Sequence, residues 1–158
     1  MSSPQPSAPP ALRIRPSKGT EEYPALASIW RGAVDATHEF LAEADRDDIE
    51  ARLQSDYFPA VVLSVAERAG VPVGFAGTLD GNLEMLFIDA SRRDEGIGTA
   101  LLSHTIAQHG VRRVDVNEQN LSATAFYIHR GFEIVGRSDT DEAGRPYPLV
   151  HLRLNHDS

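Results

Sequence analysis

The chain has 158 residues, 41% of them hydrophobic, no cysteine and a formal charge of −8. That length suits a single domain able to bury its own core, and the apolar share speaks against wholesale disorder. Disulfides, thiolate metal sites and a cysteine nucleophile are excluded, and the acidic balance speaks against nucleic acid, whose phosphates need a basic face.

Residues 1–10 are rich in Ser and Pro, with neither a basic start nor an apolar stretch, and are expected to form a flexible tail rather than a signal peptide. Residues 11–158 are expected to make one domain. Residues 11–15 alternate apolar and polar side chains and read as a strand that stops at Pro16 and Gly19. Thr20, with Glu21 and Glu22 behind it, resembles a helix start with acids in its first turn. Leu26, Ile29, Trp30 and Val34 follow at helical spacing, with Trp30 expected in the core. A second helix is expected over residues 45–55, ending near Pro59. Residues 61–66 and 71–78 read as a hairpin about Ala69-Gly70, and Asp80-Gly81 turns the chain into a further antiparallel strand over 83–88. Residues 96–109 form an amphipathic helix with Leu101, Leu102, Thr105 and Ile106 inward, stopped by Gly110. A strand over 111–116, a helix over 121–130 ended by Gly131, and a strand pair over 132–136 and 149–154 complete the order. This implies an α/β protein with a mixed, mostly antiparallel sheet. No apolar run nears the roughly 20 residues that cross a bilayer, so no membrane association and a cytoplasmic location are expected.

The richest segment joins a strand ending in Leu86-Phe87-Ile88 to a helix through Arg92-Arg93-Asp94-Glu95-Gly96-Ile97-Gly98-Thr99. A helix start exposes unpaired N–H groups and the positive end of its dipole, which suits an anion. Glycine lets a phosphate approach the backbone, and Arg92 and Arg93 add positive charge. A bare strand-to-helix turn has the same local signature, so the turn by itself leaves both readings open. Gly-Lys-Ser/Thr is missing, and Leu101 stands where a dinucleotide loop has its third glycine, so neither nucleotide loop fits.

Arg93-x-x-Gly96-x-Gly98 after an apolar strand resembles the coenzyme A motif of the GNAT family of N-acetyltransferases. Asn117-Glu118-Gln119-Asn120-x-x-Ala123-x-x-Phe126-Tyr127-x-x-x-Gly131-Phe132 resembles the strand-to-helix unit that follows it in the same family. Ala33-Val34-Asp35-Ala36-Thr37-His38-Glu39-Phe40-Leu41 and Gly144-Arg145-Pro146-Tyr147-Pro148-Leu149 are similar to a bacterial peptidyl-lysine acetyltransferase type within it. The resemblance spans about residues 12–154. It implies a six- or seven-stranded sheet flanked by about four helices, with acetyl-CoA as co-substrate. It further implies direct transfer to a primary amine, on a protein lysine or a small molecule, by a monomer or homodimer; a non-catalytic acyl-CoA sensor is the alternative. The acetyl and pantetheine groups are then expected along the backbone of Leu86, Phe87 and Ile88. Arg93 and the amides of Asp94, Glu95, Gly96, Ile97, Gly98 and Thr99 are expected to hold the pyrophosphate. Asn120 is expected at the pantetheine arm, unless it is a mere helix cap, and Tyr127 at the thioester sulfur. Thr37, His38, Asn82 and Tyr147 are expected on the acceptor side. Family members usually carry glycine where Asp94 stands, and the acids Asp94 and Glu95 are expected to weaken pyrophosphate binding unless their side chains turn to solvent.

Acetyl transfer needs a neutral amine, and a lysine with an ordinary pKa of about 10.4 must first lose a proton. Tyr127 is a candidate acid for the leaving thiolate, or else a core aromatic beside Ala123 and Phe126. Glu84 shares a strand face with Asn82 and is a candidate base acting through water, or else an exposed strand carboxylate. His38, beside Glu39, is a second candidate base, or else fills a surface groove. Tyr147, between two prolines, is placed by the resemblance at the acceptor mouth, and packing accounts for it equally well. His104 and His109 flank a helix C-terminus, where pairing with the dipole explains them. No two histidines have zincin spacing, His151 and His156 read as isolated, and no metal is expected.

Overall fold

A computed structural model describes residues 11–155, so the expected tail over residues 1–10 and His156 lie outside the described residues. The strands are β1 (Leu12–Pro16), β2 (Val62–Arg68), β3 (Val71–Leu79), β4 (Asn82–Ile88), β5 (Arg113–Asn117), β6 (Phe132–Ser138) and β7 (Leu149–Leu154). They form a seven-stranded sheet in the order β1-β2-β3-β4-β5-β7-β6, antiparallel throughout except between β4 and β5. Helices α1 (Tyr23–Thr37), α2 (Glu43–Arg52), α3 (Ile97–His109) and α4 (Leu121–His129) flank it. This is the mixed α/β architecture that the order of elements implied. Ala69 and Asp80 sit at φ +52° and +50°, each followed by a glycine at positive φ, so both tight hairpins use the turn that matches strand twist.

Alternation along the strands divides the side chains between two cores. Val73, Leu83, Val114, Val116 and Leu152 pack with Leu101 and Leu102 of α3 and Tyr127 of α4. Val65 and Phe75 pack with Leu26, Trp30 and Val34 of α1, and Trp30 is buried as expected.

Two helix boundaries differ from expectation. The first helix begins at Tyr23 rather than Thr20, with Pro24 in its opening turn and no acid there. Glu22 instead faces inward and accepts from both terminal nitrogens of Arg15, at 3.0 and 2.6 Å. A partly buried guanidinium from β1 recruits it more strongly than the helix dipole does. The second helix is regular only to Arg52 and then widens into a π turn, Leu53–Tyr57, where the Phe58 N–H reaches the Leu53 carbonyl. The extra residue brings Leu53 and Phe58 onto one buried face.

β4 also departs from regular alternation. Gly77 faces Met85 while Thr78 faces Leu83, so Glu84 is an inserted residue. A bulge bends its strand. The β4–β5 ladder accordingly ends after Asn82↔Arg113 and Leu83↔Val114, and the two strands part beyond it.

Candidate active site

The parting strands lead into the α3 turn. Asp89 ends β4 by accepting from the Ser91 N–H and hydroxyl at 2.9 and 2.7 Å. The chain passes Arg93 in extended form, Asp94 at φ +69° and Gly96 at φ +79° before α3 begins. No side chain caps that helix start, so its first N–H groups remain available to an anion. Ile97 is 1% exposed and pins the turn to the core. Arg130, just past α4, donates to Thr99 Oγ1 at 2.7 and 3.2 Å and lies 3.7 Å from the centre of the Phe126 ring. It adds a cation beside the first turn of α3. The motifs did not point to it; the signal was a lone arginine before the Gly131 stop. Glu95 turns to Arg68 at 3.2 Å and lies 4.0 Å from Arg92, so its charge is countered, while Asp94 is exposed. Uncapped donors, positive-φ backbone and surrounding arginines fit a pyrophosphate.

On the other side of the sheet a groove of about 560 Å³ runs between α1, α2 and strands β4, β5 and β7. The bulge turns both Glu84 and Met85 into it, together with Asn82, Phe87, Asp115 and Asn117. Leu86 and Ile88 pack instead toward α3. Glu84, Asp115, Asp141 and Glu142 outnumber Arg145, which pairs with Asp141 at 3.6 Å, and leave the groove acidic. Desolvation by the groove, then the nearby Glu142, raise the Glu84 carboxyl above the ordinary carboxylate range, against a hydrogen bond from Asn82. A carboxylate so raised is a better proton acceptor near neutrality. A larger hollow of about 960 Å³ between α1 and α2 meets neither β4 nor the α3 turn.

The structure joins two residues that the sequence kept apart. Thr37 Oγ1 donates to the Ala33 carbonyl at 2.7 Å, which leaves it to accept from His38 Nδ1, also at 2.7 Å. His38 Nε2 then carries the lone pair and faces Asn120 Nδ2 at 3.4 Å. Asn120 Oδ1 caps α4 by accepting from the Ala123 N–H at 3.1 Å. The chain of bonds thus ties the end of α1 to the start of α4. Burial lowers His38 to about 4, so the ring is neutral at physiological pH.

Tyr127 is 6% exposed and packs edge-on against Phe126 and Phe132, with ring centres 5.1 and 5.6 Å away. Its hydroxyl has no hydrogen-bond partner among the described residues, yet it is not among their fully enclosed unsatisfied atoms. Burial raises the phenol above its ordinary value. Tyr147 is buried; its hydroxyl donates to Asp45 and accepts from the Ala42 N–H at 3.1 Å, so it clasps the start of α2 and does not line the groove. The His104 and His109 rings meet at a tilt of 59°, with centres 5.6 Å apart, near the end of α3. His151, read as isolated, is not: Asp115 and Ser138 flank it at 2.6 Å on either side, because strand register brings distant segments together. Among the described residues, no helix is long and apolar enough to cross a membrane, and no group of three or more His, Asp or Glu is placed to hold a metal ion.

A family model described as an acetyltransferase (GNAT) domain matches residues 28–148. The chain is 42% identical over 142 residues to the peptidyl-lysine N-acetyltransferase YjaB of Salmonella typhimurium, covering 89% of this chain and 97% of that protein. The solution structure of apo YjaB from Escherichia coli superposes with a TM-score of 0.83 at 38% identity, covering 91% of this chain and 97% of that one. The PaiA N-acetyltransferase of Thermoplasma acidophilum, solved with coenzyme A, shares the fold at a TM-score of 0.69 and 18% identity, covering 90% and 99%.

Proposed function

The chain belongs to the acetyltransferase (GNAT) family and is an acetyl-CoA-dependent N-acetyltransferase, and we propose that its acceptors are lysine side chains of cytoplasmic proteins. The observation that carries this reading is the acidic groove beside the parted strands. A lysine arrives as a cation, and the carboxylates of Glu84, Asp115, Asp141 and Glu142 favour its approach. The identity to YjaB supports the same acceptor class.

In this reading the unpaired edge of Leu86, Phe87 and Ile88 aligns the pantetheine arm, and Arg93 with the amides of residues 94–99 holds the pyrophosphate. Glu84, raised in the groove, takes the proton of the incoming ammonium through water, and Asn82 orients its carboxyl. Attack by the neutral amine then forms the carbon–nitrogen bond as the carbon–sulfur bond breaks, and the surplus proton on nitrogen passes through water to the departing thiolate. Tyr127 supplies the hydrogen bond to the leaving sulfur. A phenol held above its ordinary value gives its proton up reluctantly, so it stabilises the departing thiolate by donation rather than by full transfer. His38 positions rather than accepts, because its lone pair already faces Asn120.

Acetyl-CoA supplied with lysine peptides and with a panel of small amines, followed by thiol release, tests the acceptor. Acetylation of the peptide Nζ is expected, and a preference for the small amines would overturn the protein-lysine reading. Tyr127→Phe is expected to lower turnover about tenfold or more while leaving the acetyl-CoA dissociation constant within about twofold. Unchanged turnover removes the tyrosine from the mechanism.

A further inference from the structure

Three side chains on the β5–β7–β6 wing form a directed hydrogen-bond relay, of which only Asp115 also borders the acceptor groove. Asp115 faces His151 across the antiparallel β5–β7 ladder, and its Oδ1 lies 2.6 Å from the imidazole Nδ1. The other ring nitrogen, Nε2, lies 2.6 Å from Ser138 Oγ at the end of β6. A carboxylate only accepts, so Nδ1 carries the ring proton; in the neutral ring Nε2 then accepts, and the serine hydroxyl donates to it.

Register makes this arrangement. Val114, Val116, Val150 and Leu152 point into the α3–α4 core, so Asp115 and His151 point to the opposite face. Ile134 pairs with Leu152 but Gly136 pairs with His151, so Val135 is an inserted residue. Without that bulge Ser138 would lie on the other face; with it, Ser138 becomes the diagonal neighbour of His151. The Asp115 and His151 side chains are 31% and 33% exposed, open to a small reagent yet partly withdrawn from water. The atom order of acid on Nδ1 and hydroxyl on Nε2 is what a nucleophilic serine requires.

We propose that Ser138, His151 and Asp115 form a nucleophilic centre, at the margin of the groove that Asp115 borders, that takes acyl groups from activated carboxylic esters without coenzyme A. Ser138 Oγ forms a bond to the acyl carbon and the carbon–oxygen bond to the leaving alcohol breaks. The hydroxyl proton passes to His151 Nε2 and then to the departing oxygen. Water next attacks the acyl-serine, its proton returns through Nε2 to Ser138 Oγ, and the carboxylic acid leaves. Asp115 holds the ring tautomer and stabilises the imidazolium.

The test uses the full chain without coenzyme A or amine, so it fails or succeeds independently of the acetyltransferase assignment. Diisopropyl fluorophosphate is expected to label Ser138, located by peptide mass spectrometry, and p-nitrophenyl acetate is expected to be hydrolysed. Ser138→Ala should abolish the labelling and the hydrolysis but keep acetyl-CoA-dependent acetylation of a lysine peptide. His151→Gln should slow labelling about 100-fold or more. Protein that acetyl-CoA still stabilises against heat, yet that stays unlabelled at Ser138, overturns the proposal. Undiminished hydrolysis by Ser138→Ala, or loss of its acetyl transfer, overturns it equally.

Discussion

Asp94 occupies the left-handed region at φ +69°, where a side chain crowds its own backbone and glycine does not. That conformation explains why glycine is usual at this point of the motif, and it shows what aspartate costs there. Asp94→Gly should raise stability by up to about 1 kcal/mol and tighten acetyl-CoA binding about two- to fivefold by removing a negative charge from the anion site. Thermal unfolding and calorimetric titration would check both, and weaker binding would contradict the charge argument. His38 supplies a pH dependence of defined sign. Its folded value is depressed to about 4, whereas an unfolded imidazole takes up its proton near 6.5. The unfolded state therefore binds more protons between these values, so stability is full at pH 7 and falls as the pH drops, by about 3 kcal/mol in all. Denaturant unfolding at pH 7 and pH 4.5 should show a loss about 2 kcal/mol smaller in His38→Gln than in the parent. Equal losses would remove His38 from the account.

Among the elements, α3 and β1 show how local signals and long-range partners divide the work. A Cβ at Gly98 would meet the Phe126 ring at 3.6 Å, ordinary contact, so the fold itself tolerates alanine there. Gly98→Ala should leave the melting temperature nearly unchanged, and any fall in acetyl-CoA affinity then reports how closely the pyrophosphate approaches the helix start. Retained affinity would mean the phosphate lies elsewhere. β1 is held to the start of α1 by Arg15, which also donates to Glu67 at 2.8 Å. The Glu22 side chain is only 5% exposed, and its hydrogen bond from Arg15 keeps it ionised below the ordinary carboxylate range. Glu22→Gln should cost about 2 kcal/mol, read by urea unfolding, because a partly buried guanidinium loses its charged partner.

The molecule as a whole carries −8, and part of that excess lines the groove. Raising salt from about 0.05 to 0.5 M shortens the screening length several-fold. The KM for a lysine peptide should therefore rise with salt while kcat changes little; a KM indifferent to salt would argue against electrostatic capture. The clasp of Arg145 on Asp45, Asp48 and Asp141, with Tyr147 bonded to Asp45, ties the C-terminal loop to α2 along the groove. Tyr147 acts here as a strut for the start of α2, which its neighbouring prolines suggested less clearly than its burial shows.

Helical spacing, the hairpin dipeptides and the Arg93-x-x-Gly96-x-Gly98 turn were legible in the chain because each is encoded within a few neighbouring residues. Element order followed from those signals alone, whereas the turn by itself left an anion site and a bare turn both open until the second motif was read with it. The opening between β4 and β5 was not legible, because it depends on a one-residue bulge at Glu84 and on where a parallel ladder stops. Nor was the pairing of His38 with Asn120, 82 positions apart, or the grouping of Asp115, Ser138 and His151. Spacing along a strand tells which residues share a face; only register between strands, set by packing across the whole sheet, decides which of them meet.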